Sequence, residues 1–375
     1  MKGKAGALTA LFVAYAVMAF PDGIGVMAAR FGMEGTASAL VFLWFALLPI
    51  PAGKLCSRFG GRRAVAFSLA AALPALALLW RGSPRAWPAA VGFALAGIAN
   101  VLLQTSVPVW AAELFGATRL SGVMTAGLFV RTATAISLPF AIAALASAGD
   151  WRLVFPLLAA VAVAAALAVC RSGPKSDVRH ASAADAVTFG SVGALLKDRP
   201  TALAALAFAV AIVADIAFNL SVPGAMAARF GGGDVKTGLT YAVLFGVKLP
   251  VMLLGSMLFA RKGVSPFLLP AVLAAVAGTL VLFLAGTFPV YLCGVALFAV
   301  GYANVYGFVF GVAAPRHSDS IPSVSALLTM SVAGGALASP LVGALSHFGS
   351  RSAEALAFAL TVALFGLFAA VRRRI

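Results

Sequence analysis

Four charged residues fall inside long apolar stretches of this sequence: Asp22, Arg131, Asp215 and Lys248. A charge near the centre of a bilayer costs a few kcal/mol unless it faces a partner or a water-filled cavity. The cheapest arrangement pairs Asp22 with Arg131 and Asp215 with Lys248. Asp22 lies in the bend Pro21-Asp22-Gly23. Pro and Gly free backbone groups that, in a bilayer, must face protein or water, so a helix broken there is expected to line a cavity. Asp22 would share a helical face with Met18 and Tyr15, which makes a pore-lining stripe. Burial favours the neutral form of such a carboxylate and a guanidinium favours the charged form, so the group is poised to exchange a proton. Nothing around Asp215 and Lys248 suggests a similar break.

Amides form a second set. Asn100 and Gln104 are four residues apart and share a helical face. Gly97-Ile98-Ala99-Asn100 is echoed by Gly301-Tyr302-Ala303-Asn304, and Asn219 is placed on the face of Asp215. Amides both donate and accept, which suits hydroxyl-rich ligands. Trp44, Tyr302 and Tyr306, with Trp110 and Tyr241, are placed to reach a cavity, where an aromatic face can stack on the C–H face of a sugar. A phosphate-binding loop, a zinc spacing and a Ser/His/Asp set are all missing from the sequence. His180, His317 and His347 are scattered, as are Cys56, Cys170 and Cys293. The reading is therefore of a binding protein, not an enzyme, with no cofactor and no metal site.

The elements that must position these residues follow from composition. The chain of 375 residues is 62% hydrophobic and 10% charged, with a mean hydropathy of +1.05. Soluble domains carry roughly 25% charged residues. At about 20 apolar residues per span the chain has room for about twelve transmembrane helices. Apolar runs lie near 8–29, 37–56, 64–80, 88–112, 121–146 and 152–170, then near 201–223, 237–260, 265–285, 288–314, 323–346 and 353–371. Between the sets, 171–199 is a polar linker, in which 184–197 is expected to lie on the membrane surface as a short amphipathic helix. Met27-Ala28-Ala29-Arg30-Phe31-Gly32 recurs as Met226-Ala227-Ala228-Arg229-Phe230-Gly231, a shift of 199 residues, and at that shift Pro51 falls on Pro250. A half-length repeat in an apolar chain implies two homologous bundles, 1–170 and 200–375, with substrate handled near the midplane. The fold class is an all-α membrane protein of two pseudo-symmetric six-helix bundles.

The net charge of +16 is dispersed among loops and does not point to nucleic acid. The N-terminus, alternate loops and the Arg372-Arg373-Arg374 tail hold 18 of the 27 Lys and Arg residues, against seven on the other side. The positive-inside rule then places both termini and the linker in the cytoplasm.

The stretch Gly53-Lys54-Leu55-Cys56-Ser57-Arg58-Phe59-Gly60-Gly61-Arg62-Arg63 resembles the cytoplasmic loop signature of the major facilitator superfamily. Gly53, Arg58, Gly60, Arg62 and Arg63 stand in place, whereas Ser57 replaces the usual Asp and Gly61 a usually basic residue. Within the superfamily, Gly97 to Ser106, Gly301 to Asn304 and Met330 to Ala336 resemble the fucose–galactose–glucose permease group. The resemblance implies the major facilitator fold and a rocker-type, proton-coupled sugar symporter in the bacterial inner membrane, here expected as a monomer. It also implies a functional acid in the first span at Asp22. The fourth-span acid of some such permeases is replaced here by Asn100 or Gln104. The partners expected are therefore a small-molecule substrate, protons and lipid. A small organic anion held by Arg131 and Lys248, a drug or metabolite exporter, and a non-transporting sensor are the competing readings. From the charge count, reporters fused after Lys2, near Lys175 and after Arg374 are all expected in the cytoplasm; an external reporter at Lys175 would overturn the twelve-span layout.

Overall fold

A computed structural model describes the chain apart from residues 1, 21–26, 28, 29, 32, 83–85, 173–186, 232, 347, 350 and 375. In chain order the helices are α1 (Lys2–Val17), α2 (Glu34–Leu47), α3 (Pro49–Phe59), α4 (Gly61–Arg81), α5 (Ala86–Phe115), α6 (Leu120–Ser147), α7 (Val154–Arg171) and α8 (Phe189–Leu195). They continue as α9 (Arg199–Phe230), α10 (Gly233–Lys262), α11 (Ser265–Leu284), α12 (Phe288–Tyr302), α13 (Val305–Arg316), α14 (Ile321–Ser331), α15 (Ala338–Ser346) and α16 (Ser352–Arg372). Among the described residues there is no strand, and ten helical segments are long and apolar enough to cross a membrane. A bent pair, 39–47 and 49–59, makes an eleventh, and the apolar helix Gly6–Val17 is shorter. The protein is an all-α, multi-pass membrane protein.

Two expected spans are interrupted. The second bends by 58° at Leu48, because Pro49 has no N–H to continue the helical ladder and opens the next helix. The tenth is interrupted by a turn at Ala303 and Asn304, between α12 and α13. The linker contributes α8, only seven residues long, with Val192 and Leu195 buried.

The chain forms two compact units. Unit 1 comprises Met1–Leu120, Gly127–Leu195 and His317–Met330; unit 2 comprises Ser121–Ala126, Leu196–Arg316 and Ser331–Ile375. In unit 1, α14 is fastened to α5 by hydroxyls: Ser325 Oγ donates to Thr105 O at 2.7 Å, and Thr105 Oγ1 lies 3.4 Å from Thr329 Oγ1. In unit 2, α11 and α12 approach until backbones touch. A Cβ on Gly294 would sit 2.9 Å from Gly278 O, so only small residues fit there.

The repeated Arg-Phe pair anchors one end of each unit. In unit 1 the Phe31 ring packs against Trp151 (5.2 Å), Phe93 (5.8 Å) and Phe155 (6.2 Å), and the Arg30 guanidinium lies over Trp151. In unit 2 the Phe230 ring packs against Tyr291 (5.3 Å) and Phe288 (5.9 Å). Arg229 donates to Glu354 Oε1 at 2.8 Å and to the carbonyls of Leu282 and Ala285, the C-terminal end of α11. At the 199-residue shift Phe155 falls on Glu354, so an apolar core position in unit 1 became an acid in unit 2. Both side chains of the unit 2 pair are almost fully buried, at 6% and 2% exposure. Removing one partner of such a pair leaves an uncompensated charge and costs about 3–5 kcal/mol. Glu354→Ala should therefore lower stability by about that amount in thermal or chemical unfolding, whereas Arg30→Ala, which loses a cation–π contact, should cost about 1 kcal/mol. Equal small losses would show that the pair does not hold unit 2.

Candidate functional site

The central helix of unit 1 is α5, on which Gly97, Asn100 and Gln104 lie along one face. Gly97 allows α2 to come close: a Cβ there would lie 2.7 Å from Trp44 Cδ1 and 2.8 Å from Val41 Cα. Trp44 is thereby pressed onto the helix that carries the two amides. Its indole Nε1 is buried and, among the described residues, has no hydrogen-bond partner. Asn100 is 4% exposed, and its Oδ1 is likewise without a partner among the described residues. Asn100 also borders a small cavity among Val17, Phe20, Leu76 and Leu158, with about 20 Å³ of free space, enough for one water. Gln104, equally buried, accepts through Oε1 from Arg131 Nη1 at 3.3 Å. Unit 1 therefore brings Trp44, Asn100, Gln104 and Arg131 around one stretch of α5.

Asp22 lies outside the described residues. The helix leading to it is placed by Tyr15, whose ring fills the space a side chain on Gly127 would need, one turn of α6 before Arg131. Tyr15 and Met18 are 0% and 1% exposed. Of the expected pore-lining stripe, both side chains are buried in this structure, Tyr15 in a socket that Gly127 leaves for its ring.

Unit 2 gathers the second charged set. Lys248 Nζ stands 3.6 Å from Asp215 Oδ1 and 4.8 Å from the centre of the Tyr302 ring, which stacks on Phe298. Asn219 Nδ2 donates to the Asp215 carbonyl at 2.7 Å, and Tyr241 Oη donates to the Asn219 carbonyl at 3.0 Å. Asn304, at the break between α12 and α13, donates from Nδ2 to Val251 O at 3.3 Å and packs against Gly255 of α10. Its Oδ1 has no partner among the described residues. Tyr306 sits between Phe208 (5.5 Å) and Phe310 (5.0 Å). The aromatic surfaces of Tyr302 and Tyr306 are engaged by protein groups in this structure.

The loop signature is built into the end of unit 1. Gly60 has φ 79° and Gly53 faces Val187, whose Cγ1 would lie 2.9 Å from an added Cβ. Gly61 cannot be the usual basic residue, because a Cβ would lie 2.5 Å from the Trp110 backbone nitrogen. Its N–H instead donates to Glu113 Oε1 at 2.7 Å, an acid set against the N-terminus of α4. Ser57 turns its hydroxyl back to Gly53 O. Arg62 reaches Ser172 O at 3.5 Å, Arg58 lies over Phe59, and Arg63 is exposed. Sequence reasoning missed the buried Arg229–Glu354 pair, counting Arg229 as a loop cation. It also missed Glu113. The position of Gly61 beside two basic residues was the available signal for the latter.

The family model described as Major Facilitator Superfamily matches residues 5–322. The chain belongs to that superfamily. Its fold is similar to that of the E. coli fucose:proton symporter FucP, at a TM-score of 0.82 and 16% identity over 97% of each chain. It is also similar to the proton:xylose symporter XylE solved with 6-bromo-6-deoxy-D-glucose (TM-score 0.75, 13% identity, 96% and 94% of the two chains). A bacterial homologue of the iron transporter ferroportin is similar too (TM-score 0.73, 14% identity, 99% of each chain). No curated protein sequence matches the chain.

The unpaired indole of Trp44 gives a test. Removing Nε1 forfeits no bond to the described residues, so Trp44→Phe should lower the unfolding temperature only by the packing lost with the smaller ring. Binding of a hydroxylated ligand that uses this donor should weaken about tenfold, which corresponds to about 1.4 kcal/mol. Unchanged affinity would remove Trp44 from the site.

Proposed function

We propose that the chain is a secondary active transporter that moves a small neutral hydroxylated solute, a sugar in the simplest case, by alternating access with proton symport. The observation that carries this reading is the chemistry left open on α5. Trp44 Nε1 and Asn100 Oδ1 offer one donor and one acceptor, both buried and both without a partner among the described residues. A buried polar atom left unpaired costs about 1–3 kcal/mol, and a hydroxyl can satisfy either kind. The cations fit a neutral cargo better than an anion: Lys248 faces Asp215 and Tyr302, and Arg131 donates to Gln104. The similar folds of a fucose:proton symporter and a proton:xylose symporter support the sugar class.

Proton coupling is assigned to Asp22 and Arg131, the pair that the sequence sets together. Asn100, Gln104 and Trp44 would bind substrate in unit 1, and Asn304, Asn219, Tyr302 and Tyr306 would contribute from unit 2. The Gly53 to Arg63 loop would act as a cytoplasmic gate element. The protein would work as a monomer in the bacterial inner membrane with both termini in the cytoplasm. Pseudo-symmetric bundles of residues 1–170 and 200–375 would rock about the substrate.

The ferroportin homologue shows that the same fold serves a metal transporter. Among the described residues no group of three or more His, Cys, Asp or Glu side chains could hold a metal ion. A thermal-shift screen of purified protein against D-glucose, D-galactose, D-xylose, L-fucose, their acids and a set of amino acids tests the reading, because a ligand of the folded state raises its stability. The expected result is stabilisation by at least one neutral sugar and a smaller effect of the corresponding acid. Stabilisation by acids alone would establish the anion reading instead.

A further inference from the structure

Unit 2 contains two buried ion pairs of opposite character. Arg229 and Glu354 are in direct contact at 2.8 Å, as expected of charges in a dry setting. Asp215 and Lys248 are held at 3.6 Å, too far for a direct charged hydrogen bond. Asp215 Oδ1 is buried and has no hydrogen-bond partner among the described residues.

The backbone at the Asp215 end and the ammonium at the Lys248 end both have protein partners. On the α9 side, the Asn219 amide binds the Asp215 carbonyl, and Tyr241 Oη binds the Asn219 carbonyl. On the α10 side, the Lys248 ammonium rests 4.8 Å over the Tyr302 ring, which is itself stacked on Phe298. Tyr302 is the last residue of α12, directly before the turn at Ala303 and Asn304. The carboxylate and the ammonium stand 3.6 Å apart, with the ammonium over a ring on one side. Access remains: the side chains are 25% and 11% exposed.

An ammonium only donates hydrogen bonds and a carboxylate only accepts them, whereas a hydroxyl does both. A hydroxyl oxygen about 2.8 Å from each of two atoms 3.6 Å apart fits between them by distance, and because Oδ1 is buried, the solute reaches it only as the surrounding side chains open. Resting on the neutral-solute reading above, we propose that Asp215 and Lys248 form a subsite in unit 2 that binds hydroxyl groups of the solute, with Asp215 accepting and Lys248 donating. A pair of adjacent hydroxyls meets both groups at once, so the subsite selects vicinal diols. Charge-assisted bonds make this recognition discriminating.

The test measures equilibrium binding of D-glucose, D-galactose, D-xylose and L-fucose, and of the monodeoxy analogues of whichever binds, to purified wild-type protein and two variants. Asp215→Leu/Lys248→Met removes both charges together, leaving no unpaired ion, and Asp215→Asn keeps the shape of the acid. The double variant is expected to bind the parent sugar at least tenfold more weakly and to lose the preference for it over one particular monodeoxy form. Asp215→Asn should show the same loss of discrimination with a several-fold loss of affinity, and it decides the matter if the double variant does not fold. Sugar binding within twofold of wild type, with discrimination intact, overturns the subsite while leaving the neutral-solute reading standing. Absence of any sugar binding by the wild-type protein overturns both.

Discussion

Hydrocarbon supplies no partner for a charge, so every ionised side chain within a span must be answered by another part of the same chain. The structure answers this in graded ways. Arg229 is surrounded by Glu354, two carbonyls at the end of α11, and the rings of Phe230 and Tyr291, although Glu354 Oε2 is buried without a partner among the described residues. Arg131 donates to an amide, Gln104. Lys248 faces a carboxylate across a gap. The tighter the match, the more the group belongs to the scaffold; the looser it is, the more a solute has to offer. The same ranking separates the end of unit 2, which is fastened, from the mid-span positions where a cargo would be handled.

Much of the fold was legible because composition and periodicity act over long windows. A chain this apolar and this poor in charge has to be a helical membrane protein, and its 199-residue repeat is legible in the sequence itself. The repeat had a structural cause: Arg30-Phe31 and Arg229-Phe230 each dock on an aromatic cluster. The bend at Leu48 follows from Pro49. The break at Ala303 and Asn304 carries no proline; it became visible only through tertiary packing, with Asn304 drawn onto α10 at Gly255. Arg229 was misjudged for a related reason. A cation near a span end looks like a loop residue until the distant Glu354 is brought beside it.

The site was legible in residue type more than in contact. Asn100 and Gln104 were recognisable as a shared amide face, and Trp44 as an aromatic near it. What the aromatic contributes could not be read from a sequence: Gly97 presses the indole against α5, so its N–H is the available group. Tyr302 and Tyr306 are engaged by Lys248, Phe298, Phe208 and Phe310. On the proposed reading, recognition would run through polar atoms more than through ring faces, which suits a cargo with many hydroxyls. Tyr15 shows the converse error, since helical spacing alone does not reveal that Gly127 has opened a socket for it.

The central claim is that uptake of a neutral solute draws on a proton taken up at Asp22. Purified protein in liposomes, loaded at neutral pH and diluted into acidic medium containing radiolabelled sugar, tests it most directly. The account predicts accumulation above the external concentration in wild-type vesicles, abolished by a protonophore. It further predicts that Asp22→Asn vesicles exchange labelled for unlabelled sugar but do not accumulate it, because the carboxylate is needed only when a proton must be taken up or released. Accumulation by Asp22→Asn equal to wild type, or uptake by wild type that ignores the pH gradient, would contradict the account.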